Sequence, residues 1–140
     1  MMKPLHIILV DDNETFRKAL KLLLNIEFNT PIIGEASNAK EFWEIPNFQN
    51  ADLILMDVMI PGTDGITLTR EVLWNYNSLK VLAMTMHFDK VYLTTLIEAG
   101  FVGCMFKNNL FNELKPALKA VTEGKLYFPN SISLSKNDLS

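Results

Sequence analysis

Short apolar runs alternate with stretches of helical spacing along nearly the whole chain. Ile7-Ile8-Leu9-Val10 and Leu53-Ile54-Leu55-Met56 are unbroken and brief, the pattern of strands buried on both faces of a parallel sheet. Residues 31–36, 80–84 and 103–106 read as three more strands, and the first is taken as residues 6–10. Between them the period changes to that of a helix. From Glu14 onward, behind Asn13 as N-cap, Phe16, Ala19, Leu20, Leu23 and Leu24 share one stripe. Asn38 predicts the cap of a short helix through Phe42 and Trp43 that ends before Pro46. After the turns at Pro61-Gly62 and Asp64-Gly65, Ile66, Leu68, Val72 and Leu73 mark a third helix. Residues 90–99 form a fourth, stopped by Gly100, and Leu114, Ala117, Leu118 and Val121 a last one, closed by Gly124. Pro116 removes a backbone donor inside that helix, which predicts a late start or a kink.

Five strand–helix units in a row imply an α/β fold, a five-stranded parallel sheet with helices on both faces and right-handed crossovers. The expected layout is one domain over residues 1–128 and a polar, Ser/Asn-rich linker or disordered tail over 129–140.

Composition narrows the function classes. A chain of 140 residues with 49% hydrophobic content suits one cored domain. A net charge of −3 and a pI near 5.3 provide no general attraction to nucleic acid. No apolar stretch reaches about 18 residues, so no membrane-spanning helix is expected. The amino-terminal residues lack a separate apolar segment and cleavage site, so no signal peptide is expected. A lone Cys104 cannot form an internal disulfide, and the expected location is cytoplasmic. Cys104 reads as a small core residue, and His6 and His87 as surface or packing residues.

The chemistry gathers at strand ends. The first strand ends in Asp11-Asp12, the third in Asp57, the fourth in Thr85 and the fifth in Lys107. In an open α/β sheet that edge is where ligands bind. Three carboxylates brought together repel one another and call for a hard cation, and magnesium accepts such oxygen ligands. Asp57 is then placed as a nucleophile toward phosphorus, forming an acyl phosphate. Lys107 would pair with the phosphoryl oxygens and Thr85 would donate a hydrogen bond to them.

This set resembles the receiver domain of two-component response regulators. The motifs are Asp11-Asp12, the stretch from Asp57 to Gly65, Thr85, and Gly103-Cys104-Met105-Phe106-Lys107, and the likeness runs from about Leu5 to Gly124. It implies a flavodoxin-like sheet in the order 2-1-3-4-5. It further implies that Asp57 is the phosphoacceptor, that Asp12 binds Mg2+ directly and Asp11 largely through water, and that the Met59 backbone carbonyl is a further ligand. The implied partner is a sensor histidine kinase or a phosphotransfer protein. The stretch from Ala117 to Phe128, with its Gly-x-x-Tyr, resembles the NarL/LuxR-type subgroup. There a receiver leads into a helix-turn-helix domain, so DNA contact is expected only through an output domain absent from these residues. Receivers of this family often dimerise through the fifth strand and its neighbouring helices. Tyr92, Leu93 and Leu96 suit such a homodimer, although burial against the sheet would explain the same residues. The expected role is a phosphorylation switch and not a turnover enzyme.

Several positions depart from the family pattern. Cys104 stands where an aromatic residue usually couples to Thr85, and His87 or Phe88 is a candidate to take over part of that role. Met86 replaces a small residue and Met59 supplies no polar group, which together predict slow loss of phosphate. Asn108 replaces a common proline, so a trans peptide is expected after Lys107. An aspartate-nucleophile phosphatase would need a second Asp at position 59. A flavin binder would need a Ser/Thr/Gly-rich loop after the first strand. The remaining alternative is a stand-alone or degenerate receiver that acts as a protein–protein interaction module.

Overall fold

The computed structural model describes residues 5–86 and 90–128. Strands β1 (Ile7–Val10), β2 (Ile32–Ala36), β3 (Leu53–Asp57), β4 (Val81–Thr85) and β5 (Gly103–Phe106) form one sheet in the order β2-β1-β3-β4-β5. Every neighbouring pair is parallel. Helices α1 (Glu14–Phe28), α2 (Ala39–Trp43), α3 (Gly65–Asn75), α4 (Lys90–Ala99) and α5 (Leu110–Thr122) follow the strands in turn. Residues 1–4 and the expected tail, 129–140, lie outside the described residues, as do His87 and Phe88.

The apolar strands serve two cores at once because alternate side chains point to opposite faces. Ile8, Val10, Ile54, Met56, Val81, Ala83 and Cys104 pack with Phe42, Leu68, Val72, Leu93 and Leu96 from α2, α3 and α4. Ile7, Leu9, Leu53, Leu55, Leu82, Met84 and Met105 pack with Leu20, Leu24, Leu114, Leu118 and Val121 from α1 and α5. Leu93 and Leu96 are therefore core residues and offer no free face for a second copy. Among the described residues no helix is long and apolar enough to cross a membrane.

The predicted caps form. Asn13 Oδ1 accepts from the Phe16 N–H at 3.0 Å and Asn38 Oδ1 from the Glu41 N–H at 2.8 Å. Gly100 closes α4 with φ +101° and Gly124 follows α5 with φ +79°, the left-handed conformation that glycine adopts freely. Pro116 does not delay the helix: α5 starts at Leu110 and runs through it. Pro116 lies on the exposed side, where the Asn112 carbonyl that loses its partner meets water, while the inner face holds the helix down. No cis peptide bond occurs among the described residues, so the bond after Lys107 is trans as expected. The 3-10 turn Phe48–Asn50 was not anticipated; Phe48 stacks edge-on with Trp43 and Tyr76. Trp74 is 89% exposed.

One polar network fixes the strand end that matters most. Glu35 on β2 accepts from Arg17 Nε at 3.2 Å and from Lys21 Nζ at 2.8 Å. Arg17 also donates to the Asp11 backbone carbonyl and to Ser37 Oγ. Burial pushes the Glu35 carboxyl up, but Lys21 and Arg17 outweigh it and hold the pKa below its ordinary 4.5. A depressed carboxylate pKa adds stability above the unfolded value, and that stability is lost as pH falls through the folded value. Glu35→Gln is expected to cost about 1 kcal/mol at pH 7. The difference disappears when pH falls well below 4.5, as read by urea denaturation of both proteins at the two pH values.

Candidate functional site

Asp11 and Asp57 extend from the ends of adjacent strands, because β1 and β3 pair in register with Val10 opposite Met56. Asp11 is fully buried and Asp57 is 3% exposed, whereas Asp12 faces solvent. Carboxylate oxygens of all three lie within 4.8 Å of one another. Each buried carboxylate is aimed by its own turn. Asp11 Oδ1 accepts from the Asn13 N–H at 2.9 Å, and Asp57 Oδ1 accepts from the Met59 N–H at 3.0 Å. Gly65 makes room for the start of α3 beside this edge: a Cβ there would lie 2.3 Å from the Asp57 carbonyl oxygen.

Lys107, directly after β5, reaches across to both carboxylates. Its Nζ is 2.6 Å from Asp11 Oδ2 and 3.3 Å from Asp57 Oδ2. The same ammonium sits 4.4 Å from the centre of the Phe16 ring, a cation–π contact that helps keep it charged out of water. Burial alone would lower the Lys107 pKa; Asp11 and Asp57 more than reverse this and hold it above 10.5. Asp57 shifts up from its ordinary value: burial is the main cause and Asp11 adds to it, against the Met59 N–H and Lys107.

Thr85 closes β4 and is 1% exposed. It shares a side-chain hydrogen bond with Tyr92 on α4, a half-buried residue packed against the core cluster that contains Cys104. Burial raises the Tyr92 phenol pKa and pushes the Cys104 thiol far up, so Cys104 is an unreactive core residue. Met59 is 64% exposed and contributes its backbone to the turn at Asp57. His6 is an exposed neighbour of Asp52, as its surface assignment expected.

The structure thus brings Asp11, Asp12, Asp57 and Lys107 together, with Thr85 at the adjoining strand end. Three carboxylates against one ammonium leave two negative charges uncompensated. An all-oxygen donor set with that charge suits a hard divalent cation. Two residues escaped the sequence reading as parts of this edge. Tyr92 was read only as suited to a homodimer face or to burial against the sheet. Glu113 was not singled out, although a charge three residues after Leu110 falls on the buried stripe of α5. It is 4% exposed and accepts from the Phe106 N–H at 3.1 Å, one residue before Lys107.

Comparison with known proteins agrees with this geometry. The family described as "Response regulator receiver domain" matches residues 7–119. The transcriptional regulatory protein DegU of Brevibacillus brevis is 29% identical over 123 residues, 88% of this chain and 52% of its own length. The transcriptional regulatory protein LiaR of Bacillus subtilis is 29% identical over 121 residues, 86% of this chain and 57% of its own. The chain therefore spans little more than half the length of these curated relatives. Among solved structures, a LuxR-family two-component response regulator from Aurantimonas superposes with a TM-score of 0.86 at 26% identity, covering 98% of this chain and 96% of that one. The paired acids, the strand-end Asp57 and the bridging Lys107 thus sit in a chain that belongs to the response regulator receiver family, within its NarL/LuxR-type subgroup.

Proposed function

We propose that this domain is a phosphorylation switch in which Asp57 accepts a phosphoryl group from a sensor histidine kinase or phosphotransfer protein. The observation that carries the reading is the buried Asp57 carboxylate with Lys107 Nζ at 3.3 Å and two further carboxylates beside it. In the proposed step an Asp57 oxygen forms a bond to phosphorus as the P–N bond of a phosphohistidine breaks. The imidazole leaves with the bonding electron pair and takes up a proton. Asp11, Asp12, Asp57 and the Met59 carbonyl would hold Mg2+, which when bound neutralises charge on the phosphoryl oxygens. Lys107 exchanges a carboxylate partner for a phosphoryl oxygen, and Thr85 turns its hydroxyl from Tyr92 toward the same group. Burial of Asp57 keeps water from the acyl phosphate, and Met59 carries no acid or base to activate a water molecule.

In this reading the switch acts in the cytoplasm and controls transcription through a DNA-binding domain lying outside these 140 residues. Dimerisation on phosphorylation is part of the proposal. The two named relatives are transcriptional regulatory proteins, which supports that output over a stand-alone interaction module.

Incubation with acetyl phosphate and Mg2+ is expected to add about 80 Da to the intact mass, one phosphoryl group, and Asp57→Asn is expected to abolish the addition. An unmodified mass under every small phosphodonor would contradict the proposal and favour the interaction module. The adduct is expected to be long-lived once donor is removed, and Met59→Asn, which supplies an amide to orient water, to shorten its lifetime.

Thermal unfolding provides a separate check. The raised Asp57 pKa means that its charge costs stability at neutral pH; that cost is present above the folded pKa and is lost as pH falls through it. In EDTA at pH 7, Asp57→Asn is therefore expected to melt above wild type. Mg2+ is expected to raise the wild-type Tm more than that of the variant.

A further inference from the structure

The last described segment of the chain is built into the sheet edge at the start of β5. After the turn at Gly124, Tyr127 forms a parallel bridge with Gly103 of β5. Its N–H donates to the Val102 carbonyl at 3.0 Å and its carbonyl accepts from the Cys104 N–H at 2.9 Å. The approach is so close that a Cβ on Gly103 would lie 2.2 Å from the Tyr127 carbonyl oxygen. Glycine at this position is therefore a requirement of the docked segment. Tyr127 packs with the α1/α5 core and Phe128 with the opposite one, so the two side chains straddle the sheet edge.

One buried carboxylate joins this segment to the site. Glu113 Oε2 accepts from the Phe106 N–H at 3.1 Å, and Glu113 Oε1 accepts from the Tyr127 hydroxyl at 3.2 Å. Phe106 immediately precedes Lys107, whose ammonium bridges Asp11 and Asp57. Asn109, two residues after Lys107, adds a third hydrogen bond to the same carboxylate. A carboxylate withdrawn from water is expensive unless its lone pairs are used, so these bonds are not independent, and losing one favours reorientation of Glu113 toward the others.

We propose that Glu113 is a positioning residue for Lys107 and that, with Tyr127, it couples the occupancy of the Asp57 site to the docking of residues 125–128. The inference rests on the switch reading given above. A phosphoryl group that draws Lys107 away from Asp11 displaces the peptide that Glu113 holds, and Glu113 passes the displacement to the Tyr127 hydroxyl. The coupling is reciprocal, so loosening the segment changes how the site binds a phosphoryl mimic.

The test uses the 140-residue chain with Mg2+ and fluoroberyllate as the phosphoryl mimic. Amide hydrogen exchange at Tyr127 and Cys104 is read by NMR, and fluoroberyllate affinity is measured by titration. In wild type, exchange at both amides is expected to change by about fivefold or more on binding, the lower end of ordinary coupling between sites. Tyr127→Phe keeps the ring and the backbone bridge, and Glu113→Gln keeps one acceptor oxygen. Both are expected to lose most of that response and to shift the fluoroberyllate affinity while the fold is retained. Unchanged exchange in wild type despite bound fluoroberyllate would overturn the coupling and leave the switch reading intact, as would a wild-type response in Tyr127→Phe. Failure of wild type to bind fluoroberyllate at all would instead remove the switch reading, and this inference with it.

Discussion

Two carboxylates are buried side by side, and a single ammonium group makes that tolerable. Asp11 and Asp57 stand on adjacent strands at 0% and 3% exposure. Like charges in such surroundings raise each other's cost of ionisation, and burial adds to it. Lys107 offsets this at 2.6 Å and 3.3 Å, and the remaining details of the sheet edge keep it there. The β1–β3 register sets the spacing of the acids, Gly65 lets α3 start against Asp57, and Arg17 grips the Asp11 carbonyl. Phe16 lies under the ammonium and Glu113 holds the peptide before it.

The arrangement leaves the lysine with two incompatible tasks. It balances the acids when they are alone, and in the proposed reaction it must turn to a phosphoryl oxygen as a divalent cation takes over the acids. Only a lysine already released from one partner can do the second without leaving a buried charge bare. Two satisfied arrangements of the same side chain are what a two-state element requires. The buried carboxylate of Glu113, with one oxygen on the Phe106 N–H and the other on the Tyr127 hydroxyl, places the chain's last described segment within reach of that change.

Much of this was legible in the sequence. Unbroken four-residue apolar runs announce strands buried on both faces, and polar residues that follow such runs fall on one sheet edge whatever the details of the loops. That logic located Asp11, Asp12, Asp57, Thr85 and Lys107. It was silent on partners that depend on helix rotation and packing. Tyr92 meets Thr85 because of how α4 seats against the sheet, and Glu113 looks like any helix charge until α5 is oriented. The late start expected from Pro116 failed for a related reason: a proline rule written for an average helix ignores a helix whose opposite face is fixed in a core. The 3-10 turn at Phe48 depends on packing against Trp43 and Tyr76, which short-range pattern does not encode.

Lys107 occupies, with its charge, a place at the acids for which a divalent cation would compete. Isothermal titration of Mg2+ into wild type and Lys107→Met tests it most directly. If the lysine competes for the acids, the variant binds Mg2+ several-fold more tightly, because three carboxylates then meet the ion without a resident ammonium. Equal or weaker Mg2+ binding by the folded variant would contradict the account.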